Sequence, residues 1–158
     1  MNNTPEKQRI LIVEDEDAIQ QVFSFFLEHN GFETHSVFNG QDAIAAIPVY
    51  KPHLIILDLV MRPVSGWDVL HWLREHQQTI PVLVSSALVH LTEQVQGFEE
   101  GAIEYITKPA QPSVIVERVR TLLSLNHEQR LMLQHQRIDE RKRTLERIQT
   151  AQQNELPH

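Results

Sequence analysis

The chain has 158 residues, 41% of them hydrophobic and 22% charged, which is the composition of a soluble globular protein. No apolar run approaches the ~20 residues needed to cross a membrane, and the absence of cysteine excludes disulfides and thiolate metal sites, so a cytoplasmic location is expected. The net charge of −7 is concentrated in residues 1–125, where 8 Lys and Arg stand against 16 Asp and Glu, and this disfavours direct nucleic acid binding.

Apolar runs alternate with segments of helical periodicity along these 125 residues. The apolar runs are typical of strands buried on both faces, and they predict strands at 9–13, 52–58, 80–84 and 103–107, with a weaker strand at 32–37. Helices are predicted between residues 17 and 30, at 41–47, around 67–73, at about 90–100 and at about 112–125. The apolar stripe of the first helix is Ile19, Val22, Phe23, Phe26 and Leu27. Five strands alternating with five helices favour an α/β fold with a doubly wound parallel sheet and right-handed crossovers.

Polar side chains follow four of these strands. Ligands and reactive groups collect where parallel strands end, at their carboxyl edge. The side chains delivered to that edge are Glu14 and Asp15, Asp58, Ser86 and Lys108. Each of them alone has an ordinary explanation as a helix-start acid, a turn serine or a surface lysine. Their joint arrangement instead favours a reactive site.

The chemistry of these groups suits phosphoryl transfer to Asp58. Two carboxylates 4 Å apart repel each other by about 4 kcal/mol at an effective dielectric near 20. A hard divalent cation relieves that repulsion, and oxygen-only ligands favour Mg²⁺. The ammonium of Lys108 can pair with a phosphoryl oxygen, and the hydroxyl of Ser86 can donate to another.

At these residues the chain resembles the receiver domain of the two-component response-regulator family, over residues 9–125. The matching features are spaced as in that family: the Glu14-Asp15 pair, Asp58 with Met61 and Gly66 after it, Ser86-Ala87, and Tyr105 three residues before Lys108-Pro109. The resemblance implies the sheet order 2-1-3-4-5. It also implies a phosphoryl group taken from a histidine kinase or a phosphotransfer protein.

The resemblance further assigns a role to each site residue. Asp58 is the phosphoacceptor, and Glu14, Asp15, Asp58 and the Val60 carbonyl surround Mg²⁺. Ser86 is the switch hydroxyl and Lys108 the phosphoryl partner, with a cis Lys108-Pro109 bond. Tyr105 is the aromatic that moves inward, although an ordinary half-buried edge-strand aromatic fits the sequence as well. Output is expected through the face of the fourth helix, fifth strand and fifth helix, together with the C-terminal helix.

Three positions depart from the family pattern. Arg62 stands where a proline is usual, and Pro63 follows it, so the loop beside Asp58 is expected to differ. Val60 and Leu88 occupy positions where similar proteins carry polar residues that order the hydrolytic water. We therefore predict a slowly hydrolysing phosphoryl-aspartate.

Residues 126–158 form a compositionally distinct tail, with 6 basic against 5 acidic side chains. Leu131, Ile138 and Leu145 recur every seven residues, and Ile148 follows, whereas the companion positions Gln134 and Arg141 are polar. The pattern predicts a long helix carrying half of a heptad seam. Pairing with a second copy through this tail, or through the output face, remains open. The sequence equally fits a stand-alone receiver and a receiver-plus-linker portion of a longer protein.

The sequence favours a phosphorylation switch, which would not be an enzyme beyond self-phosphorylation and slow autodephosphorylation, over three competing functions. A receiver-like scaffold acting through its tail is disfavoured because every reactive group is retained. A phosphohydrolase of similar fold needs a second acid two residues after the nucleophile, where Val60 stands. A nucleotide-binding fold needs a glycine-rich turn after the first strand, where this chain has four acids.

Overall fold

Strands and helices alternate along the computed structural model, which describes residues 5–155. The strands are β1 (Arg9–Val13), β2 (Glu33–Val37), β3 (Leu54–Leu57), β4 (Val82–Ser86) and β5 (Glu104–Thr107). The helices are α1 (Asp17–His29), α2 (Gly40–Tyr50), α3 (Gly66–Glu75), α4 (Leu91–Glu99), α5 (Pro112–Ser124) and α6 (His127–Glu155). Residues 1–4 of the predicted receiver domain (1–125) and residues 156–158 of the predicted tail (126–158) lie outside the described residues.

The five strands form one parallel sheet in the order β2-β1-β3-β4-β5. This confirms the predicted α/β class, the strand order and the C-terminal helical extension. The central strand β3 is buried at all four positions, as its uninterrupted apolar sequence requires. One core cluster lies on each face of the sheet, so both faces are covered. Within residues 5–155, no helix has the length and apolar character needed to span a bilayer.

Helix α2 extends beyond its predicted end at residue 47. It runs to Tyr50 and contains Pro48 near its C-terminus. The Asn39 side chain caps the other end by accepting a hydrogen bond from the Asp42 N–H at 2.8 Å. A proline lacks only its own N–H donor, and so near a helix end it removes one intrahelical hydrogen bond without ending the helix.

Only part of the predicted apolar stripe of helix α1 faces inward, and Ile19 of that stripe packs against a core cluster. The buried residues of α1 are Gln20, Phe23 and Leu27, whereas Val22 and Phe26 are 42% and 40% exposed. The Gln20 amide donates hydrogen bonds to the Glu14 and Val37 carbonyls. These carbonyls lie just beyond β1 and at the end of β2, where a buried acceptor needs a donor. These hydrogen bonds explain why a glutamine is buried on this face of α1, although the Val37 carbonyl also accepts from the Glu14 N–H at 3.1 Å.

The heptad face of α6 packs against α4 of the same chain. The Gln134 amide is buried and donates to the Phe98 carbonyl and, at 3.1 Å, to the Ala102 carbonyl. One heptad further on, Arg141 donates to Gln94 Oε1 at 2.8 Å. Helix α6 therefore runs antiparallel to α4. The polar companions in the predicted seam are the residues that hold it there, and Ile138 between them packs against the core cluster.

Candidate functional site

The carboxyl edge of the sheet brings the predicted site residues together, because backbone hydrogen bonds continue past the strand ends. The Asp58 N–H donates to Val13 O at 3.0 Å, and the Lys108 N–H donates to Ser86 O at 2.8 Å. The residues that follow β1, β3 and β5 are thereby fixed in register beside the last residue of β4. Their side chains then have little freedom to move apart.

Lys108 links the two buried carboxylates at this edge. Its Nζ lies 2.6 Å from Glu14 Oε1 and 3.2 Å from Asp58 Oδ2. The other Asp58 oxygen, Oδ1, accepts a hydrogen bond from the Val60 N–H at 3.1 Å. Asp58 is only 4% exposed. One ammonium thus offsets the repulsion of two carboxylates that the burial would otherwise make severe.

Burial shifts the ionisation of this cluster. It raises the pKa of Glu14 to about 7, and the opposing hydrogen bond from Lys108 only partly offsets it. Burial also acts to lower the pKa of Lys108, but the hydrogen bonds and charges of Glu14 and Asp58 outweigh it and raise that pKa. Near neutral pH, Lys108 is therefore charged and Glu14 is close to its midpoint.

The acidic residues after β1 provide a donor set suited to a divalent cation. Carboxylate oxygens of Glu14, Asp15 and Glu16 all lie within 4.8 Å of one another. Glu14 Oε2 is buried, and within residues 5–155 it has no hydrogen-bond partner. A buried oxygen without a donor, beside further carboxylates, fits a hard cation such as Mg²⁺. The cluster includes Glu16, which the sequence prediction omitted, whereas Asp58 is joined to Glu14 through Lys108.

The loop after Asp58 is held by close backbone contacts. A Cβ added to Gly66 would overlap the Asp58 carbonyl oxygen and lie 2.7 Å from Leu59 Cα, so only glycine lets α3 begin this close to Asp58. Ser65 and Asp68 form a capping box at the start of α3. The loop leaves Arg62 exposed, and the peptide bonds before Pro63 and Pro109 are both cis.

Ser86 and Tyr105 are connected through the backbone of Leu88. The Leu88 N–H donates to Ser86 Oγ at 3.2 Å, and the Tyr105 hydroxyl donates to the Leu88 carbonyl at 2.7 Å. Tyr105 is 5% exposed, and burial raises its pKa to about 12. The side chain thus occupies an inward position, tied to the predicted switch hydroxyl by one intervening residue.

Sequence reasoning missed two residues that shape this site. The sequence shows Leu88 only as a non-polar neighbour of Ser86, because its connecting role uses backbone atoms that any residue carries. Gln20 escapes a search for apolar periodicity because it is polar. Its position three residues before Phe23 and seven before Leu27, on one helical face, was the available signal.

Comparisons with known proteins point to one family. The family model described as the response regulator receiver domain matches residues 10–120. Transcriptional regulatory protein SrrA of Staphylococcus aureus is 42% identical over 114 residues, which are 72% of this chain and 47% of that protein. The present chain therefore spans about half the length of the curated relatives it matches.

Solved structures show the same likeness. The receiver domain of the Francisella response regulator 1452 is 28% identical with a TM-score of 0.72, and the match covers 75% of this chain and 98% of that one. The signal receiver domain of a histidine kinase from Syntrophus aciditrophicus is 34% identical with a TM-score of 0.68, covering 74% and 90%.

Proposed function

This chain belongs to the response regulator receiver domain family, and from that premise we propose that it is a phosphorylation-controlled signalling switch with Asp58 as its phosphoacceptor. The observation that carries the proposal is that Lys108 bridges Asp58 and Glu14 at the carboxyl edge of the sheet, where β1, β3 and β5 end. In this proposal residues 1–125 form the receiver, and residues 126–158 form a helical tail that takes part in output.

The proposed transfer is a displacement at phosphorus. A carboxylate oxygen of Asp58 attacks the phosphoryl group of a phosphohistidine on a histidine kinase or phosphotransfer protein. The P–N bond breaks, and the leaving imidazole nitrogen keeps the electron pair and takes up a proton. Because Lys108 holds Asp58 Oδ2 before transfer, it must release that oxygen, and its ammonium is then available to a phosphoryl oxygen.

Mg²⁺ would be held by Glu14, Asp15, Asp58 and the Val60 carbonyl, with Glu16 nearby. When bound, the ion supplies positive charge that neutralises the transferring oxygens. The unpartnered Glu14 Oε2 supports this assignment. The residues themselves position the reaction: Gly66 fixes the backbone of Asp58, and Gln20 holds the backbone of Glu14.

The phosphoryl donor would dock on α1. Phe25, Phe26 and Val22 form an exposed apolar surface on that helix. A cleft lined by Ile19 and Val22 leads from it to Lys108. An exposed apolar surface beside a reactive group is a suitable docking surface for a protein that must bring its own reactive residue to that group. A cytoplasmic location accords with a cytoplasmic kinase domain as donor.

Output would begin at the hydrogen bonds that join Ser86, Leu88 and Tyr105. A phosphoryl group that accepts a hydrogen bond from Ser86 would draw this hydroxyl away from the Leu88 N–H, and so alter the position of the β4–α4 loop. The affected surface is formed by α4, β5 and α5, and α6 lies across part of it. A local charge change acting on an element with two arrangements is the physical basis of such a switch.

The test is intact mass after incubation with acetyl phosphate and Mg²⁺. We expect the wild type and the exposed control Asp139→Ala each to gain one phosphoryl group. Asp58→Asn, which keeps the shape of the side chain, should gain none, and neither should the wild type without Mg²⁺. No gain in the wild type would favour the alternative, a receiver-like scaffold or dimerisation module acting through its tail without phosphorylation.

A further inference from the structure

Helix α6 and the edge strand β5 share a buried carboxylate. Glu104 of β5 is buried, and its Oε2 accepts from Arg118 of α5 at 2.8 Å and from Arg137 of α6 at 3.2 Å. A buried carboxylate is stable only when its charge is matched, so Arg118 ties α5 and Arg137 ties α6 to the edge strand β5. Lys142 adds an exposed ion pair with Glu99 of α4 at 3.1 Å.

Helix α6 also reaches the surroundings of Tyr105. The guanidinium carbon of Arg141 lies 4.7 Å from the centre of the Phe98 ring. The Phe98 ring lies 6.3 Å from that of Tyr105, centre to centre. Gly97, which precedes Phe98 on α4, lets the Tyr105 ring approach so closely that an added Cβ would lie 3.3 Å from the ring. Arg141 therefore covers the aromatic pair that fills the space between α4 and β5.

We propose that α6 is an intramolecular strap whose docking on α4 and β5 holds Tyr105 inward, so that α6 docking and phosphorylation of Asp58 favour each other. Tyr105 lies on the edge strand β5, and its ring neighbours that of Phe98. Arg141 covers the Phe98 ring, and Arg137 binds the carboxylate of Glu104, the residue before Tyr105. This inference rests on the proposed function, in which phosphorylation acts through Ser86 and an inward Tyr105.

Thermodynamic reciprocity determines whether loss of α6 docking should strengthen or weaken binding of a phosphoryl mimic. If docked α6 favours the inward tyrosine, then a ligand that needs the inward tyrosine must favour docked α6 by the same factor. Losing the docking contacts should therefore weaken binding of a phosphoryl mimic at Asp58, although none of those contacts touches the mimic. A coupling of ordinary size changes affinity by about fivefold or more.

The experiment compares two double variants on the same helix. Gln134→Ala with Arg141→Ala removes the contacts to α4, whereas Gln136→Ala with Arg143→Ala changes the same residue types at exposed positions. The probe is beryllium fluoride with Mg²⁺, titrated against each protein by NMR of backbone amides. The spectrum without ligand shows whether each variant keeps its folded core.

Helix docking is measured separately by paired spin labels. The chain has no cysteine, so Glu75→Cys and Thr150→Cys place two labels at exposed sites on α3 and α6 without side reactions. We expect the docking variant, Gln134→Ala with Arg141→Ala, to show a broad distribution of distances between the two labels and at least about fivefold weaker binding of beryllium fluoride. We expect the control, Gln136→Ala with Arg143→Ala, to match the wild type in both the label distances and the affinity for beryllium fluoride. Saturating beryllium fluoride should narrow the distance distribution of the docking variant.

Two results would overturn the strap while leaving the proposed function intact. One is a docking variant with a broadened distribution that binds beryllium fluoride as tightly as the wild type. The other is a docking variant with the wild-type distribution, because these contacts would then not hold α6. Failure of the wild type to bind beryllium fluoride, together with its failure to gain a phosphoryl group, would instead remove the proposed function and the strap with it.

Discussion

Gly66→Ala should both destabilise the protein and prevent phosphorylation of Asp58, the proposed phosphoacceptor. The added Cβ would overlap the Asp58 carbonyl oxygen and lie 2.7 Å from Leu59 Cα and 2.9 Å from the Asp58 carbonyl carbon. These are backbone atoms, and they cannot turn aside as a flexible side chain would. Overpacking in a core typically costs about 1–3 kcal/mol, and a backbone clash belongs at the upper end.

For a chain of this size, about 3 kcal/mol corresponds to a melting temperature lower by roughly 6–12 °C. Thermal unfolding followed by circular dichroism measures this, and intact mass with acetyl phosphate measures the accompanying loss of phosphorylation at Asp58. Gly31→Ala is the control, because that residue has a φ of 93° but open space around its Cβ position. It should cost only the roughly 1–2 kcal/mol of left-handed strain and leave phosphorylation unchanged.

The reasoning would be refuted by a Gly66→Ala protein that melts with the wild type. It would equally be refuted by one that melts lower but still accepts phosphoryl groups at the wild-type rate, since the clash would then not reach Asp58.

Three further predictions concern residues at the carboxyl edge of the sheet. Burial raises the pKa of Glu14 to about 7, so Mg²⁺ affinity measured by calorimetry should rise as pH increases from 6 to 7 and level off above it, and Glu14→Gln should abolish this dependence. Because the folded protein holds a proton on Glu14 at pH 6 but not at pH 8, the ammonium of Lys108 stabilises a charged Glu14 only at the higher pH. Lys108→Met should therefore lower the free energy of unfolding, measured with urea, by more at pH 8 than at pH 6. An equal loss at both pH values would contradict the raised pKa of Glu14. The phosphoryl group on Asp58 should persist for minutes or longer by intact mass, Val60→Asn should shorten its lifetime, and a wild-type lifetime of seconds would count against the role given to Val60.

The sheet and its reactive edge could be predicted because their signals are local. A buried parallel strand is an uninterrupted apolar run, and the residue that ends the run lies at the carboxyl edge whatever surrounds it. Asp58 after β3 and Lys108 after β5 follow from this rule alone. The roles given to these residues stay predictions until phosphorylation is measured.

The inward faces of α1 and α6 could not be predicted in the same way. Which face a helix buries depends on what it meets, and a buried polar side chain is stable when a partner from elsewhere in the chain satisfies it. Gln20 meets the carbonyls of Glu14 and Val37, and Gln134 meets those of Phe98 and Ala102. Sequence periodicity identified the heptad face of α6 correctly, but periodicity alone cannot distinguish α4 of the same chain from a helix of another.

The length of α6 beyond its contacts with α4 at Arg141 and Lys142 makes it a lever. Residues 146–155 are all exposed, and the helix continues for 14 residues past Arg141, a distance of about 21 Å at 1.5 Å per residue. A tilt of about 10° around the Arg141 contact would displace the end of such a rigid rod by roughly 4 Å. A rearrangement around Phe98 too small to alter the receiver surface noticeably would thus be magnified at the tip of α6, where an attached segment or a bound protein would sense it as displacement.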